Sequence, residues 1–247
     1  MLMPVSVPCF AASGGILYAL QHATIEGQVI ILLLLVGSIF SWSVMITKFI
    51  MVRRVRRETT AFLKKFRTSR RPLTLFQNRE SFPGSPAFWV YQAGCRELVF
   101  HMLGSTELDE SLAVRLSDSD KISPVAMSAV RSAMEREVGE QALLLEHRMI
   151  LLATAVSGAP FLGLLGTVWG VMDTFAGVAS ANSASLAAMA PGVSAALITT
   201  VTGLLVAIPA MFGYNFLVVT VRSITVELDN FAAELAAAFE HRYLRNA

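Results

Sequence analysis

Apolar residues in this chain run in long unbroken stretches rather than alternating with polar ones. Residues 27–47, 149–172 and 174–221 contain no Asp, Glu, Lys or Arg, over 21, 24 and 48 positions. Crossing roughly 30 Å of hydrocarbon at about 1.5 Å per residue takes about 20 apolar residues. The first two stretches therefore predict one transmembrane helix each. The third is long enough for two. Its first part, however, is small and weakly polar, with Ser180, Asn182, Ser183 and Ser185, and it closes on Pro191-Gly192. Such residues favour loops and helix starts. The pattern predicts an all-α integral membrane protein with three transmembrane helices, 28–48, 149–174 and 191–221, and an outside loop over 175–190.

Outside these stretches the pattern changes to amphipathic and mixed. Residues 49–148 are expected to form a cytoplasmic helical region. Residues 52–66 continue the first span, and residues 128–148 lead into the second without a proline. A turn-rich break at 70–86 carries Pro72, Pro83, Gly84 and Pro86. In the tail, 222–247, Ile224, Leu228, Phe231, Leu235 and Phe239 recur at spacings of four and three, which makes one apolar face. That strip is expected to pack on another helix of this chain or of a neighbour. Residues 1–27 are expected to lie outside, with a short interfacial helix over 16–25.

Charge assigns the direction. Net charge is only +2, but residues 1–47 hold no Lys or Arg, residues 48–148 hold 17 of the 20, and the rest are Arg222, Arg242 and Arg245. Lys and Arg near span ends resist export. The basic segment 48–71 therefore belongs inside, and the N-terminus outside. A four-span arrangement would export the tail with its three arginines, so three spans are expected. The run at 53–57 reads as a topology determinant near anionic lipid heads rather than a nucleic-acid site.

Composition narrows the chemistry. Apolar residues make up 54% and charged residues 15%, well below the quarter usual in soluble domains. Cys9 and Cys95 offer no disulfide framework or metal spacing. His22, His101, His147 and His241 are scattered. No Ser/His/Asp set, phosphate-binding loop or metal constellation is present, so neither an enzyme nor a cofactor is expected.

The candidate chemistry lies in the second and third spans. Gly163, Gly166, Thr167 and Gly170 form small-xxx-small pairs, which let helices approach closely in lipid. Gly192, Ala196, Thr199, Gly203 and Ala207, with Pro209 beside them, keep small residues along one side of the third span. Thr167, Thr199, Thr200 and Thr202 either bond back to their own helix carbonyls or present hydroxyls to a hydrated pore.

The segments APFLGLLGTVWGVMDTF (159–175) and PGVSAALITTVTGLLVAIPAMFGYN (191–215) resemble the second and third spans of the TolQ and ExbB members of the MotA/TolQ/ExbB proton channel family. GSIFSW (37–42) resembles the family's first span. The resemblance implies a homo-oligomer, a pentamer by family precedent, around the single spans of a small TolR/ExbD-type subunit. It implies that an aspartate on that subunit takes up and releases protons, and that the resulting motion drives a TolA/TonB-type periplasm-spanning protein. Thr167 and Thr200 match the family's pore-lining threonines. A family glutamate in the third span is replaced by Ala195, which leaves Asp173 as the nearby carboxylate: a solvated acid at the outer mouth, or a proton entry site. A flagellar or gliding stator subunit and a non-conducting scaffold remain the alternatives.

Overall fold

The computed structural model describes residues 24–69, 71–104, 121–181 and 185–244. Among these residues six helices follow in order: α1 (Ile25–Thr68), α2 (Thr74–Gln77), α3 (Pro86–Leu103), α4 (Pro124–Glu146), α5 (Met149–Ala181) and α6 (Leu186–Tyr243). The described residues include no strand beyond one isolated parallel bridge, Ile122 with Leu244. Three helices, α1, α5 and α6, are long and apolar enough to cross a membrane. The chain is an all-α membrane protein. The expected interfacial helix and Cys9 lie outside the described residues.

The helix bounds differ from the sequence expectation in two places. Helix covers most of 175–190: α5 continues to Ala181 and α6 begins at Leu186. Alanine is the best helix former, and the Met189 amide already donates to the Ser185 carbonyl at 3.3 Å. Pro191 therefore falls inside α6 rather than at its start. The tail is not a separate element either; α6 runs unbroken through Val221 to Tyr243.

The chain divides into two compact units, one formed by residues up to Ile46 with Arg148–Asn215, the other by Thr47–His147 with Phe216–Ala247. In the first, a small apolar cluster joins Ile30 and Leu34 of α1 to Ala159 of α5 and to Val206 and Ala207 of α6. Outward-facing side chains are large and apolar: Phe161 is 71% exposed, and Ile39, Leu205 and Phe212 are similarly open. In water such a surface would associate indiscriminately. Against acyl chains it costs nothing.

The second unit is built like a soluble domain. Phe62 is wholly buried, and its ring meets Phe66, Phe82, Phe88, Tyr91 and Phe231 at centroid separations of 5.6–6.2 Å. Those distances suit the one stacked pair, Phe62 with Phe66, and the tilted and edge-on pairs with the other four. The α6 strip Ile224, Leu228, Phe231, Leu235 and Phe239 is buried throughout, so the amphipathic face is covered within its own chain. Serine caps start two helices, with Ser85 accepting from the Phe88 amide and Ser123 from the Ala126 amide. Tyr91 ties down the turn region: its hydroxyl donates to the Pro72 carbonyl at 2.7 Å and accepts from the Phe76 amide at 3.0 Å. Lys48, only 5% exposed, donates to the Leu145 carbonyl at 2.8 Å. It thereby satisfies one of the carbonyls that α4 leaves open in its last turn. At the next residues the helix breaks, and Arg148 takes a left-handed φ of 68° before α5 begins.

Candidate functional site: a threonine cluster between two membrane helices

Glycines let the backbones of α5 and α6 come close enough for side-chain hydroxyls to reach across. A Cβ on Gly203 would sit 2.6 Å from the Ala159 carbonyl oxygen and 3.2 Å from the Gly163 Cα. One on Gly163 would meet the Thr199 carbonyl oxygen at 2.9 Å and the Thr200 Cα at 3.0 Å. Both neighbours are backbone, which cannot step aside. Gly170 lies against Ala196, where an added Cβ would come within 2.8 Å of the alanine methyl. Gly192 faces the side chain of Thr174.

Into this seam project three hydroxyls that converge on one acceptor. The Gly163 carbonyl accepts from Thr167 at 3.1 Å, Thr199 at 3.0 Å and Thr200 at 3.1 Å. Thr167 and Thr200 also share a short hydroxyl–hydroxyl hydrogen bond across the two helices. Thr199 donates alternatively to the Ala196 carbonyl at 2.7 Å. Thr202 bonds back to the Ile198 carbonyl of its own helix. Of the two roles open to these threonines, Thr202 takes the first; Thr167 and Thr199 also bond back within their own helices, to Gly163 and Ala196, while Thr167 and Thr200 are in addition joined to each other. Thr200 reaches a carbonyl that is not its own helix's.

Gly166, Gly170, Ala196 and Ala207 are buried, while Pro209 is partly exposed. Ala195 is buried, with a methyl group where the family resemblance would put a carboxylate. Asp173 is half-buried on α5, six positions beyond Thr167. It is not drawn into the threonine cluster. Among the described residues no group of three or more His, Cys, Asp or Glu side chains is arranged to hold a metal ion.

Sequence reasoning missed the part played by the Gly163 carbonyl. Its signal was present, because Gly163 stands four residues before Thr167 and opposite the adjacent pair Thr199-Thr200. Seeing it requires the register of α5 against α6, which neither stretch carries alone.

Three helices long and apolar enough to cross a membrane, two of them close-packed along a polar seam, define a multi-pass membrane protein. Comparison with known proteins gives the family. The chain belongs to the MotA/TolQ/ExbB proton channel family, whose model matches residues 104–230. It is 32% identical over 216 residues to the Tol-Pal system protein TolQ of Haemophilus influenzae, covering 86% of this chain and 88% of that one. It is 28% identical over 215 residues to the biopolymer transport protein ExbB of Salmonella typhimurium, covering 87% and 82%. A shorter match, 42% identical over 106 residues, links it to the ExbB of Xanthomonas campestris over 43% of this chain and 42% of that one.

Proposed function

We propose that this chain is the channel-forming subunit of a bacterial inner-membrane complex that uses the proton-motive force to energise a periplasm-spanning partner. The setting is Tol-Pal envelope maintenance or TonB-dependent uptake. The N-terminus lies in the periplasm and the C-terminus in the cytoplasm. Several copies, five by family precedent, enclose the single spans of a small TolR/ExbD-type subunit, and a TolA/TonB-type protein receives the motion. The chain itself forms and breaks no covalent bonds.

One observation carries this reading: two hydroxyls, Thr167 and Thr200, joined across α5 and α6 within stretches otherwise devoid of charge. A hydroxyl is both donor and acceptor, so such a pair has a bond to offer either form of a partner carboxyl. A charge crossing the membrane gains about 2.3 kcal/mol per 100 mV, enough to bias one packing arrangement over another. Asp173 sits near the outer end of α5 under this orientation, where it serves as an acid at the outer mouth.

The test is substitution with an isostere. Thr167→Val and Thr200→Val are expected to leave assembly and capture of the single-span subunit intact while lowering proton-coupled function at least tenfold. That loss corresponds to about one hydrogen bond at the transition between states. Full function in both variants rules out the hydroxyl role. Cysteine labelling from either membrane side along 53–71 tests the orientation; periplasmic labelling would reverse it. The methyl of Ala195 favours a second reading, a non-conducting scaffold subunit. That reading is preferred if the assembled complex carries no proton flux in liposomes.

A further inference from the structure

The Gly163 carbonyl is asked to accept more hydrogen bonds than it has lone pairs. A carbonyl oxygen has two, and within α5 the helix geometry assigns one to the backbone N–H of Thr167. Three hydroxyls, on Thr167, Thr199 and Thr200, stand within 3.0–3.1 Å of the other. Each has one proton to place. Thr199 has a second acceptor in the Ala196 carbonyl, and Thr167 and Thr200 have each other.

Two arrangements fill the contested lone pair with the shorter bonds, leaving unused the longer Thr167–Thr199 hydroxyl contact of 3.5 Å. In one, Thr199 donates to Ala196, a member of the Thr167–Thr200 pair donates to Gly163, and the other donates to its mate. Every proton is then used internally, and the pair offers an outside group only lone pairs. In the other, Thr199 rotates to donate to Gly163 and takes up the contested lone pair. The Thr167–Thr200 pair keeps its mutual bond and has one proton left to give outward.

We propose that Thr199 is a positioning residue whose hydroxyl rotation decides whether the Thr167–Thr200 pair donates to, or only accepts from, a carboxyl group on the enclosed helix. The first arrangement suits a carboxylic acid, which brings its own proton. The second suits a carboxylate, which needs one offered. Thr199 is 1% exposed, so it acts through the pair and does not itself touch the carboxyl. Its place is prepared by Gly166, where a Cβ would lie 2.7 Å from both the Thr199 Cβ and its hydroxyl oxygen. No ionisable side chain occurs between residues 27 and 47 of α1, none in α5 other than Asp173, and none in α6 before Arg222 other than Tyr214. Asp173 is six positions beyond Thr167, and Tyr214 fourteen beyond Thr200. The inference rests on the pore role proposed for Thr167 and Thr200.

Thr199→Val keeps the side-chain volume and removes the rotor. The contested lone pair then always falls to the pair, the acceptor-only arrangement predominates, and the protonated carboxyl is favoured. In the complex purified with its co-purifying single-span subunit and placed in liposomes, proton flux is measured as a function of external pH. The midpoint is expected to move upward by about half a unit to one unit, the size of one hydrogen bond. Thr199→Ser, which restores a hydroxyl, should return it to the wild-type position. A Thr199→Val midpoint that coincides with wild type overturns the proposal, and so does a Ser variant that shifts as far as Val. If the Val variant does not assemble, the smaller Thr199→Ala is read instead, with the same upward shift expected and an unmoved midpoint overturning. Failure of the underlying pore reading is seen separately, as undiminished flux in Thr167→Val and Thr200→Val.

Discussion

The membrane unit and the water-facing unit of this chain solve the same packing problem with opposite materials. Between α5 and α6 the seam is lined by Gly163, Gly166, Gly170 and Gly203, and its cross-helix bonds run from hydroxyls to a backbone carbonyl. In the other unit the centre is Phe62 in a ring of five aromatic side chains. The reason lies in the surroundings. Water rewards removal of apolar area at about 25 cal/mol per Å², so large rings are the most effective filling. Lipid gives no such reward, because an acyl chain is as good a neighbour as a leucine. What remains is close contact between backbones and hydrogen bonds from one helix to the next. A glycine in the seam therefore does what a phenylalanine does in the core.

The sharpest way to break that comparison is to exchange the materials. Gly203→Leu places a branched side chain where a single Cβ already falls 2.6 Å from the Ala159 carbonyl. The α5–α6 seam is expected to open, and the variant should yield no detergent-stable complex by size-exclusion chromatography. A complex of wild-type size and protease resistance would show that the seam tolerates bulk. Phe62→Ala is the corresponding injury to the other unit. Deleting a fully buried phenylalanine costs about 3–5 kcal/mol, and the loss should be confined to the aromatic core around it. Cys95 reports it directly: the thiol is wholly buried, and burial pushes its pKa up, so it resists alkylation while the core is closed. In a Cys9→Ser background, Phe62→Ala should raise the rate of Cys95 alkylation at least a hundredfold, by the linkage of opening to stability. The α5–α6 seam should remain assembled.

The same contrast explains how much of the molecule was legible in the sequence. The three spans follow from charge-free length, a property of composition that needs no partner. The strip Ile224, Leu228, Phe231, Leu235 and Phe239 was equally plain, and all five residues are buried. The boundary at Pro191 was misread because proline after a serine-rich run is a good local signal for a helix start. The alanines before it are strong helix formers and already lie in α6. The convergence of Thr167, Thr199 and Thr200 on one carbonyl was illegible for a different reason. It is set by how α5 and α6 mesh, and glycine spacing shows that a seam exists without giving its register. The buried Lys48 belongs to the same class. As a sequence feature it is the first positive charge after the first span, whereas in the fold it holds the Leu145 carbonyl.

The smallest expected effects lie on the surface of the water-facing unit, where solvent competes for every charge. Arg67 and Glu234 make a two-pronged pair, with hydrogen bonds of 3.1 and 2.8 Å. Both side chains are more than a third exposed, so Arg67→Ala should cost less than about 1 kcal/mol, read as a small fall in thermal midpoint. Glu58 is more informative because its effect has a sign in pH. Its carboxylate accepts from Arg54 at 2.8 Å and from the Gly84 amide at 2.7 Å. The hydrogen bond from Arg54 is the leading cause that holds its pKa below the usual value of 4.5; the Gly84 amide and the nearby Arg57 charge act the same way, against a partial penalty from burial. A group lowered on folding contributes stability above its unfolded pKa and loses it as pH falls through the folded one. Stability of the unit that contains Glu58 should therefore decline on acidification below about 4.5. Glu58→Gln keeps an oxygen for the Gly84 amide and removes the charge, so it should lower stability modestly at neutral pH and flatten the acid decline. Acid titration of resistance to pepsin, a protease active in that range, separates these outcomes in the two proteins. Parallel acid curves would mean that Glu58 fastens the turn at Gly84 through hydrogen bonding alone, with no contribution from its charge.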